Sequence, residues 1–268
     1  MLANRIKVAI ILLLIGVVFI LLGGPYFLGL VCLMLVMGGW EFCRLFATGG
    51  FSPSPWIVIP GIILIAITRY FWGFNYSDLV IAGLVLAAMT YHTVRCKDGC
   101  PTPAVDFAVS VGGLMYIGWL GSYLVSLRTL ENGLWWIILV IGAVSIGDAG
   151  AYFIGGALGR HQLAPHVSPN KTIEGYLGGV AFTILGGFVL ASLCHLRVPA
   201  IQPAVGLILG SVLGILAPLG DLGESMLKRQ FGVKDTGKIL AAHGGMLDRM
   251  DTWIWGGVLG YYLIIWLW

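Results

Sequence analysis

The sequence predicts an all-α fold that crosses a membrane several times. Of its 268 residues, 59% are hydrophobic and only 10% are charged, and the mean hydropathy is +0.95. Soluble domains carry about 25% charged residues, so this chain cannot cover an ordinary water-exposed surface. Its apolar runs recur from residue 8 onward, and each is close to the ~20 residues that cross a bilayer as a helix. The runs are continuous rather than alternating, which argues against a transmembrane barrel.

We expect about nine membrane-spanning helices. The first run follows a basic start without a small-x-small cleavage site, and a second run follows at once, which indicates a retained helix rather than a signal peptide. Pro60 and Arg69 interrupt or bound the third and fourth runs, so eight or ten helices would also fit. The predicted spans lie near residues 7–22, 26–46, 56–73, 79–94, 105–126, 134–158, 175–194, 203–219 and 252–268.

The distribution of positive charge predicts the orientation of these helices. With the N-terminus in the cytoplasm, 12 of the 15 Lys and Arg residues fall in cytoplasmic segments, which follows the positive-inside rule. The three on the opposite side are Arg69, Arg128 and Arg197. Residues 221–251 then face the cytoplasm, and the C-terminus lies on the outer side.

Glycine is used at about twice its average frequency, with 40 residues in the chain. Small residues recur at every fourth position in three predicted helices, which makes flat ridges that let helix backbones approach closely. Tight helix packing is therefore the favoured interpretation, and the same ridges make a homodimer plausible. The ridges are Gly147, Ala151, Gly155 and Gly159; Gly206, Gly210 and Gly214; and Gly256 and Gly260.

Polar residues gather in the second half of the chain. Residues 221–251 hold 10 of the 27 Asp, Glu, Lys and Arg residues, between apolar runs on both sides. We therefore divide the chain into N-terminal transmembrane helices, residues 1–130, and a C-terminal transmembrane catalytic region with a cytoplasm-facing site, residues 131–268.

The start of the polar segment is predicted to be a new helix. Pro218 should end the eighth span, and Asp221 should begin the next helix. The polar residues that then share one helical face are Asp221, Glu224, Ser225 and Lys228. A structural explanation stays open, because Asp221 and Glu224 resemble a capping box and Glu224 can pair with Lys228 four residues later.

The other end of the segment adds two more carboxylates. A flexible HGG turn, residues 243–245, precedes Asp248 and Asp251, which point the same way at a helix start. They could be helix-dipole partners, but with Asp221 they offer the hard oxygen ligands that Mg²⁺ prefers when it also holds phosphates. Cations suited to phosphate are interleaved at Lys228, Arg229, Lys234, Lys238 and Arg249. This combination favours phosphoryl or nucleotidyl transfer over ion transport.

A second polar cluster lies earlier in the chain. Asp148 is placed inside the sixth apolar run, about 18 Å from Arg160 along an unbroken helix. An ionisable residue at that depth is a functional candidate, although a buried acid satisfied by neighbouring helices is the alternative. The loop that follows carries Ser168, Lys171, Thr172 and Glu174 before the seventh span. Its backbone N–H groups and lysine could cradle an anion, but S-x-x-K-T also describes ordinary capping.

These motifs resemble one known family. The stretch SMLKRQFGVKDTGKILAAHGGMLDRMD, residues 225–251, is closely similar to the signature of the phosphatidate cytidylyltransferase (CDP-diacylglycerol synthase) family, and SIGDAGAYFIGGALGR, SPNKTIEG and GDLGES resemble its other motifs. Two departures are Ala241, where the family usually has Pro or Gly, and Asn170, where a second lysine is common. Neither removes a carboxylate, so we expect them to tune activity rather than abolish it.

The resemblance implies that CTP and phosphatidate react to give CDP-diacylglycerol and pyrophosphate. The expected catalytic residues are Asp221, Asp248, Lys171 and Arg249, and the expected Mg²⁺ ligands are Asp221, Asp248, Asp251 and Asp148, with a second cation also possible. The expected substrate-binding residues are Ser168, Thr172, Glu174, Ser225, Lys228, Arg229, Lys234, His243, Gly244 and Gly245. The expected setting is the bacterial inner membrane, with a homodimer and no nucleic-acid partner.

Two rival functions remain open from the sequence. A CTP-dependent lipid kinase would transfer the γ-phosphoryl group to a lipid alcohol, but such enzymes resemble this chain less between the HGG turn and Asp251. An ion-coupled transporter could use Asp148 and Asp251 as intramembrane carboxylates. That alternative leaves the basic cluster unexplained.

Overall fold

The computed structural model describes residues 14–96, 99, 101–237 and 244–267. These residues are mostly helical, as predicted, and they form two compact units. The first unit is Met1–Thr129 with Phe231–Met250, and the second is Leu130–Gln230 with Asp251–Trp268. Residues 231–250 therefore belong to the first unit, although they follow most of the second unit in the chain.

The first unit is built from helices joined by short turns. Residues 14–22 are helical. Three of the helices that follow carry proline in their first turn, where its missing N–H costs nothing. The side chains of Leu35, Val58, Ile62 and Ile117 are almost fully enclosed and form the centre of this unit. The labelled elements are α1 (Gly24–Thr48), α2 (Pro55–Trp72), α3 (Ser77–Cys96), α4 (Pro103–Gly113), a π-helical segment (Leu114–Leu120) and α5 (Tyr123–Thr129).

The second unit packs three long apolar helices against one another and carries a small hairpin. Its core includes Trp136, Leu139, Leu209 and Leu213. The hairpin pairs two antiparallel strands, with Gln162 opposite Thr172. The elements are α6 (Gly133–Leu158), β1 (Gln162–Ala164), β2 (Ser168–Thr172), α7 (Ile173–His195), α8 (Pro203–Leu216), α9 (Pro218–Gln230) and α10 (Leu247–Leu267), of which residues 247–250 belong to the first unit.

Glycine ridges allow the close helix packing of the second unit. A Cβ atom on Gly206 of α8 would collide with the carbonyl oxygen of Gly187 on α7, and one on Gly147 of α6 would collide with the Thr183 hydroxyl. Gly260 of α10 lies against Val140 in the same way. The packing interpretation of the ridges is therefore confirmed, and these ridges contact helices of the same chain.

Seven described segments are long and apolar enough to cross a membrane, where the sequence predicted nine spans. The predicted first span lies partly outside the described residues. The predicted ninth span corresponds to α10, which is not among the seven; charged residues at its start, together with its Trp, Tyr and Gly residues, lower its hydropathy. The seven are Gly24–Thr48, Pro55–Trp72, Ser77–Cys96, Pro103–Thr129, Gly133–Leu158, Ile173–His195 and Pro203–Gln230.

Two local expectations were wrong. Helix α9 begins at Pro218 rather than at Asp221, so Asp221 lies in the first helical turn and does not cap the helix. Proline is well tolerated at a first helical position, which explains the earlier start. The segment before α7 was expected to be a loop but forms the β1–β2 hairpin, whose strands are too short to show an alternating apolar pattern.

Candidate active site

Three carboxylates meet in the second unit. Asp221 and Glu224 lie one turn apart on α9, and Asp251 reaches the same point from α10; one oxygen of each lies within 4.8 Å of the others. Gly220 makes this approach possible, because a Cβ there would collide with the backbone carbonyl of Asp251. Glu224 is fully buried and Asp251 nearly so. We call these three residues the carboxylate cluster.

Two lysines face the carboxylate cluster. Lys171 Nζ, from the end of β2, lies 2.6 Å from Asp221 Oδ2, and Lys228 forms an ion pair with Glu224 one turn earlier on α9. The predicted i,i+4 pair is therefore confirmed. Ser225 Oγ also donates a hydrogen bond to Asp221 Oδ1 at 3.3 Å, which shows that the predicted polar face exists. Three carboxylates and two lysines therefore meet at this point.

Asp148 joins the carboxylate cluster through Thr252. The Thr252 hydroxyl donates to Asp148 Oδ2 at 3.1 Å, and the Thr252 backbone N–H donates to Asp251 Oδ1 at 2.7 Å. Helix α6 therefore contributes a fourth carboxylate beside the three.

This arrangement has the chemistry of a divalent-cation site. Buried carboxylates that face one another repel, and a charge removed from water is costly unless it is paired or bound to a metal. Three convergent carboxylate oxygens are suitable ligands for Mg²⁺, which prefers hard oxygen donors. Asp221, Glu224 and Asp251 could therefore hold a cation that also contacts phosphate.

The hairpin beside the cluster is held by its own hydrogen bonds. The Thr172 hydroxyl accepts from the Gly175 N–H at 3.1 Å and caps α7, which confirms the capping interpretation. The Glu174 carboxylate accepts from the backbone N–H groups of Arg160 and His161 at 3.0 and 3.2 Å. These bonds tie the start of the hairpin to the start of α7, and so fix the strand that carries Lys171.

The turn of the hairpin is hydrogen-bonded to α9. Arg229 Nε donates to the carbonyl oxygen of Val167 at 3.1 Å. Ser168, the first residue of β2, pairs across the hairpin with Ala164. The predicted phosphate-binding roles of Ser168, Thr172, Glu174 and Arg229 stay predictions.

The first unit contains the rest of the predicted site. Asp248 Oδ2 accepts from the Gly245 N–H at 2.7 Å and from the Thr236 N–H and hydroxyl, both at 3.2 Å. Gly244 has φ near +81°, a backbone conformation that would be strained for a residue with a side chain. Lys234 and Arg249 are exposed, and His243 lies outside the described residues.

The structure therefore divides the predicted residues between its two units. Asp148, Ser168, Lys171, Thr172, Glu174, Asp221, Ser225, Lys228, Arg229 and Asp251 belong to the second, and Lys234, Gly244, Gly245, Asp248 and Arg249 to the first. The role of Asp248 as a metal ligand stays a prediction.

Two buried carboxylates beside predicted site residues were not predicted to be functional from the sequence. Glu224 was assigned only to helix capping or pairing, although its position on the Asp221 face was a usable signal. Glu41 was overlooked within the second apolar run, where an ionisable residue is itself a functional signal. Its Oε2 accepts from the Leu247 N–H at 2.9 Å and from the Thr236 hydroxyl at 3.2 Å.

A multi-span helical chain with convergent carboxylates and lysines has the features of a membrane enzyme that acts on phosphate groups. Comparison with known proteins defines the family: a model of the cytidylyltransferase family matches residues 3–267. The chain belongs to the cytidylyltransferase family and is a nucleotidyltransferase enzyme.

Several relatives share this family. The phosphatidate cytidylyltransferase of Synechocystis sp. is 31% identical over 297 residues, covering 98% of this chain and 96% of the relative. Proteins of the same name from Bacillus subtilis and Brucella suis are 34% and 37% identical, over 73% and 77% of this chain and 71% and 70% of the relatives.

Proposed function

We propose that this chain transfers a cytidylyl group from CTP to phosphatidate, giving CDP-diacylglycerol and pyrophosphate. The observation that carries the proposal is the carboxylate cluster with its two lysines, in a chain that matches the cytidylyltransferase family along almost its whole length. Relatives named phosphatidate cytidylyltransferase support the lipid substrate. Apolar helices suit an enzyme whose acceptor is a membrane lipid.

The reaction needs charge neutralisation more than proton transfer. An oxygen of the phosphatidate monoester is already anionic and attacks the α-phosphorus of CTP. The bond from that phosphorus to the bridging oxygen of the β-phosphate breaks, and pyrophosphate leaves with the electron pair. Catalysis of such transfers rests mainly on positioning and on stabilising the negative charge of the phosphate oxygens.

The residues of the second unit suit those two tasks. Lys171 lies near the end of a hydrogen-bonded hairpin, and this fixed backbone places its ammonium group beside the carboxylate cluster. Lys228 adds a second positive charge. Asp221, Glu224 and Asp251 would hold Mg²⁺, with Asp148 beside them, and the ion would supply positive charge to the phosphate oxygens.

Product analysis tests this proposal. The purified chain, given phosphatidate, labelled CTP and Mg²⁺, should produce CDP-diacylglycerol and pyrophosphate in equal amounts. Asp221→Asn and Asp251→Asn should each lower turnover by about 100-fold or more. Asp106→Asn is the control, because that buried carboxylate belongs to the first unit and accepts the Ser52 N–H there. Formation of CDP with a newly phosphorylated lipid would contradict the proposal.

We also propose that the site faces the cytoplasm from a bacterial inner membrane. The support is the positive-inside distribution, with 12 of 15 Lys and Arg residues on the predicted cytoplasmic side. A Lys234→Cys variant, with the native cysteines replaced by serine, should react with an impermeant maleimide in inverted vesicles. Reaction only from the periplasmic side would contradict this orientation.

The homodimer is a separate part of the proposal. Because the glycine ridges contact helices of the same chain, a dimer would have to use another surface. Light scattering of the purified chain, corrected for bound detergent, should give twice the mass of 28.8 kDa.

A further inference from the structure

Glu41 is a charged side chain placed inside an apolar helix. It lies seven residues before the last residue of α1, which is about 10 Å along the helix axis. Its side chain is 1% exposed. Such a residue is costly in a membrane segment and needs a specific partner. The partners are found 195 and 206 residues later in the chain.

Those partners belong to the turn that leads into α10. Glu41 Oε2 accepts from the backbone N–H of Leu247, the first residue of α10, at 2.9 Å. It also accepts from the Thr236 hydroxyl at 3.2 Å. Glu41 therefore satisfies a donor that the start of a helix would otherwise leave unpaired.

The Thr236 hydroxyl couples Glu41 to Asp248. It lies 3.2 Å from Glu41 Oε2 and 3.2 Å from Asp248 Oδ2, and it has a single hydrogen to share between the two carboxylates. Asp248 Oδ2 additionally receives the N–H groups of Thr236 and Gly245. A change at Glu41 must therefore change how the Asp248 carboxylate is held.

The backbone around Glu41 leaves no room for rearrangement. A Cβ atom on either Gly237 or Gly245 would collide with the Glu41 carboxylate. The second oxygen, Oε1, is buried and accepts no hydrogen bond from the described residues. The side chain is thus enclosed by the segments it binds, and its conformation and theirs depend on each other.

We propose that Glu41 is a positioning residue for the nucleotide-binding turn, which we define as residues 244–248. Through Leu247 and Thr236 it fixes the backbone N–H groups of that turn and the direction of the Asp248 carboxylate. The inference rests on the proposed function in one respect: it takes the predicted substrate-binding residues Gly244 and Gly245 to contact the CTP of that reaction rather than the lipid.

The chain offers a closely matched control. Asp106 is also a fully buried carboxylate on a membrane helix of the first unit. Its Oδ1 likewise accepts one backbone N–H, from Ser52 at 2.7 Å, and one threonine hydroxyl, from Thr102 at 3.3 Å. Substitution of Asp106 therefore removes the same kind of interactions at a place remote in sequence from the turn.

Steady-state kinetics of Glu41→Ala and Asp106→Ala separate positioning from loss of folded protein. For Glu41→Ala we expect the KM for Mg·CTP to rise about tenfold, the effect of one charge-assisted hydrogen bond of ~1.4 kcal/mol, with the KM for phosphatidate within about twofold of wild type. For Asp106→Ala both KM values should stay within about twofold. Glu41→Gln should restore most of the affinity, because its amide oxygen can still accept from Leu247.

Hydrogen exchange provides a readout that does not depend on the reaction. Amides of residues 244–250 should exchange about tenfold faster in Glu41→Ala than in wild type. In Asp106→Ala their exchange rates should equal those of wild type. Unchanged exchange would overturn the positioning role, whatever reaction the chain catalyses. Faster exchange with an unchanged KM for Mg·CTP would overturn the assignment of the turn to the nucleotide. A wild-type chain that makes no CDP-lipid would contradict the proposed function, while exchange would still decide the role of Glu41.

Discussion

The ion pair between Glu224 and Lys228 allows a sharp test of the carboxylate cluster. The side chain of Glu224 is fully buried and that of Lys228 is 10% exposed. Glu224 therefore has two candidate roles, as a partner that neutralises Lys228 and as a cation ligand. Single substitutions confound the two roles, because each leaves a buried charge without its partner.

A double-mutant cycle separates these roles. Breaking a buried pair from one side costs about 3–5 kcal/mol, whereas replacing both partners by side chains of similar volume is often neutral. Glu224→Gln and Lys228→Met should each lower the free energy of unfolding by about 3 kcal/mol, and the double variant should recover most of that loss. Thermal unfolding in one detergent measures all four proteins on the same scale.

The same four proteins then report on cation binding. If Glu224 is a ligand, the Mg²⁺ concentration for half-maximal activity should rise about tenfold or more in both Glu224→Gln and the double variant, because stability is restored but the ligand is not. Lys228→Met alone should change turnover more than Mg²⁺ dependence. A double variant with restored stability and wild-type Mg²⁺ dependence would refute the ligand role and leave Glu224 as the partner of Lys228.

Three further predictions follow from the packing and the charges. Lys171→Ala should lower turnover by about 100-fold. It should change the free energy of unfolding by no more than about 1 kcal/mol, because its ion pair with Asp221 is partly exposed. A large loss of stability together with the loss of turnover would indicate that Lys171 is a structural residue. Gly206→Ala should lower the free energy of unfolding by about 1–3 kcal/mol through collision with Gly187, whereas Gly156→Ala, with open space around it, should not, and equal melting temperatures would contradict the packing argument. Removal of divalent cations with a chelator should abolish CDP-lipid formation, Mg²⁺ should restore it, and full activity in the chelator would contradict the metal proposal.

Much of the fold could be predicted because the apolar runs carry a strong, local signal. A run such as residues 134–158 contains enough apolar residues to fix a helix without reference to any neighbour, and α6 covers nearly that range. The β1–β2 hairpin could not be predicted in the same way. Its strands have only three and five residues, and the second is polar and includes Pro169, so only the pairing between the strands reveals them.

The candidate site also combines a feature that can be predicted from the sequence with features that depend on packing. Asp221 and Glu224 share a face because they are three residues apart on one helix, which the sequence alone determines. Their meeting with Asp251 depends on α9 and α10 approaching at Gly220, which is a property of packing. The hairpin likewise decides that Lys171 pairs with Asp221, since no spacing in the chain relates residues 50 positions apart.

Composition and helical periodicity predicted the long apolar helices, and motif spacing indicated the cytidylyltransferase family, because all three are local properties of the sequence. Which carboxylates face one another, and which bind the backbone, depends on how the helices pack. Glu41 is the clearest case: its partners Thr236 and Leu247 lie about 200 residues away, and their contact exists only once the helices have packed.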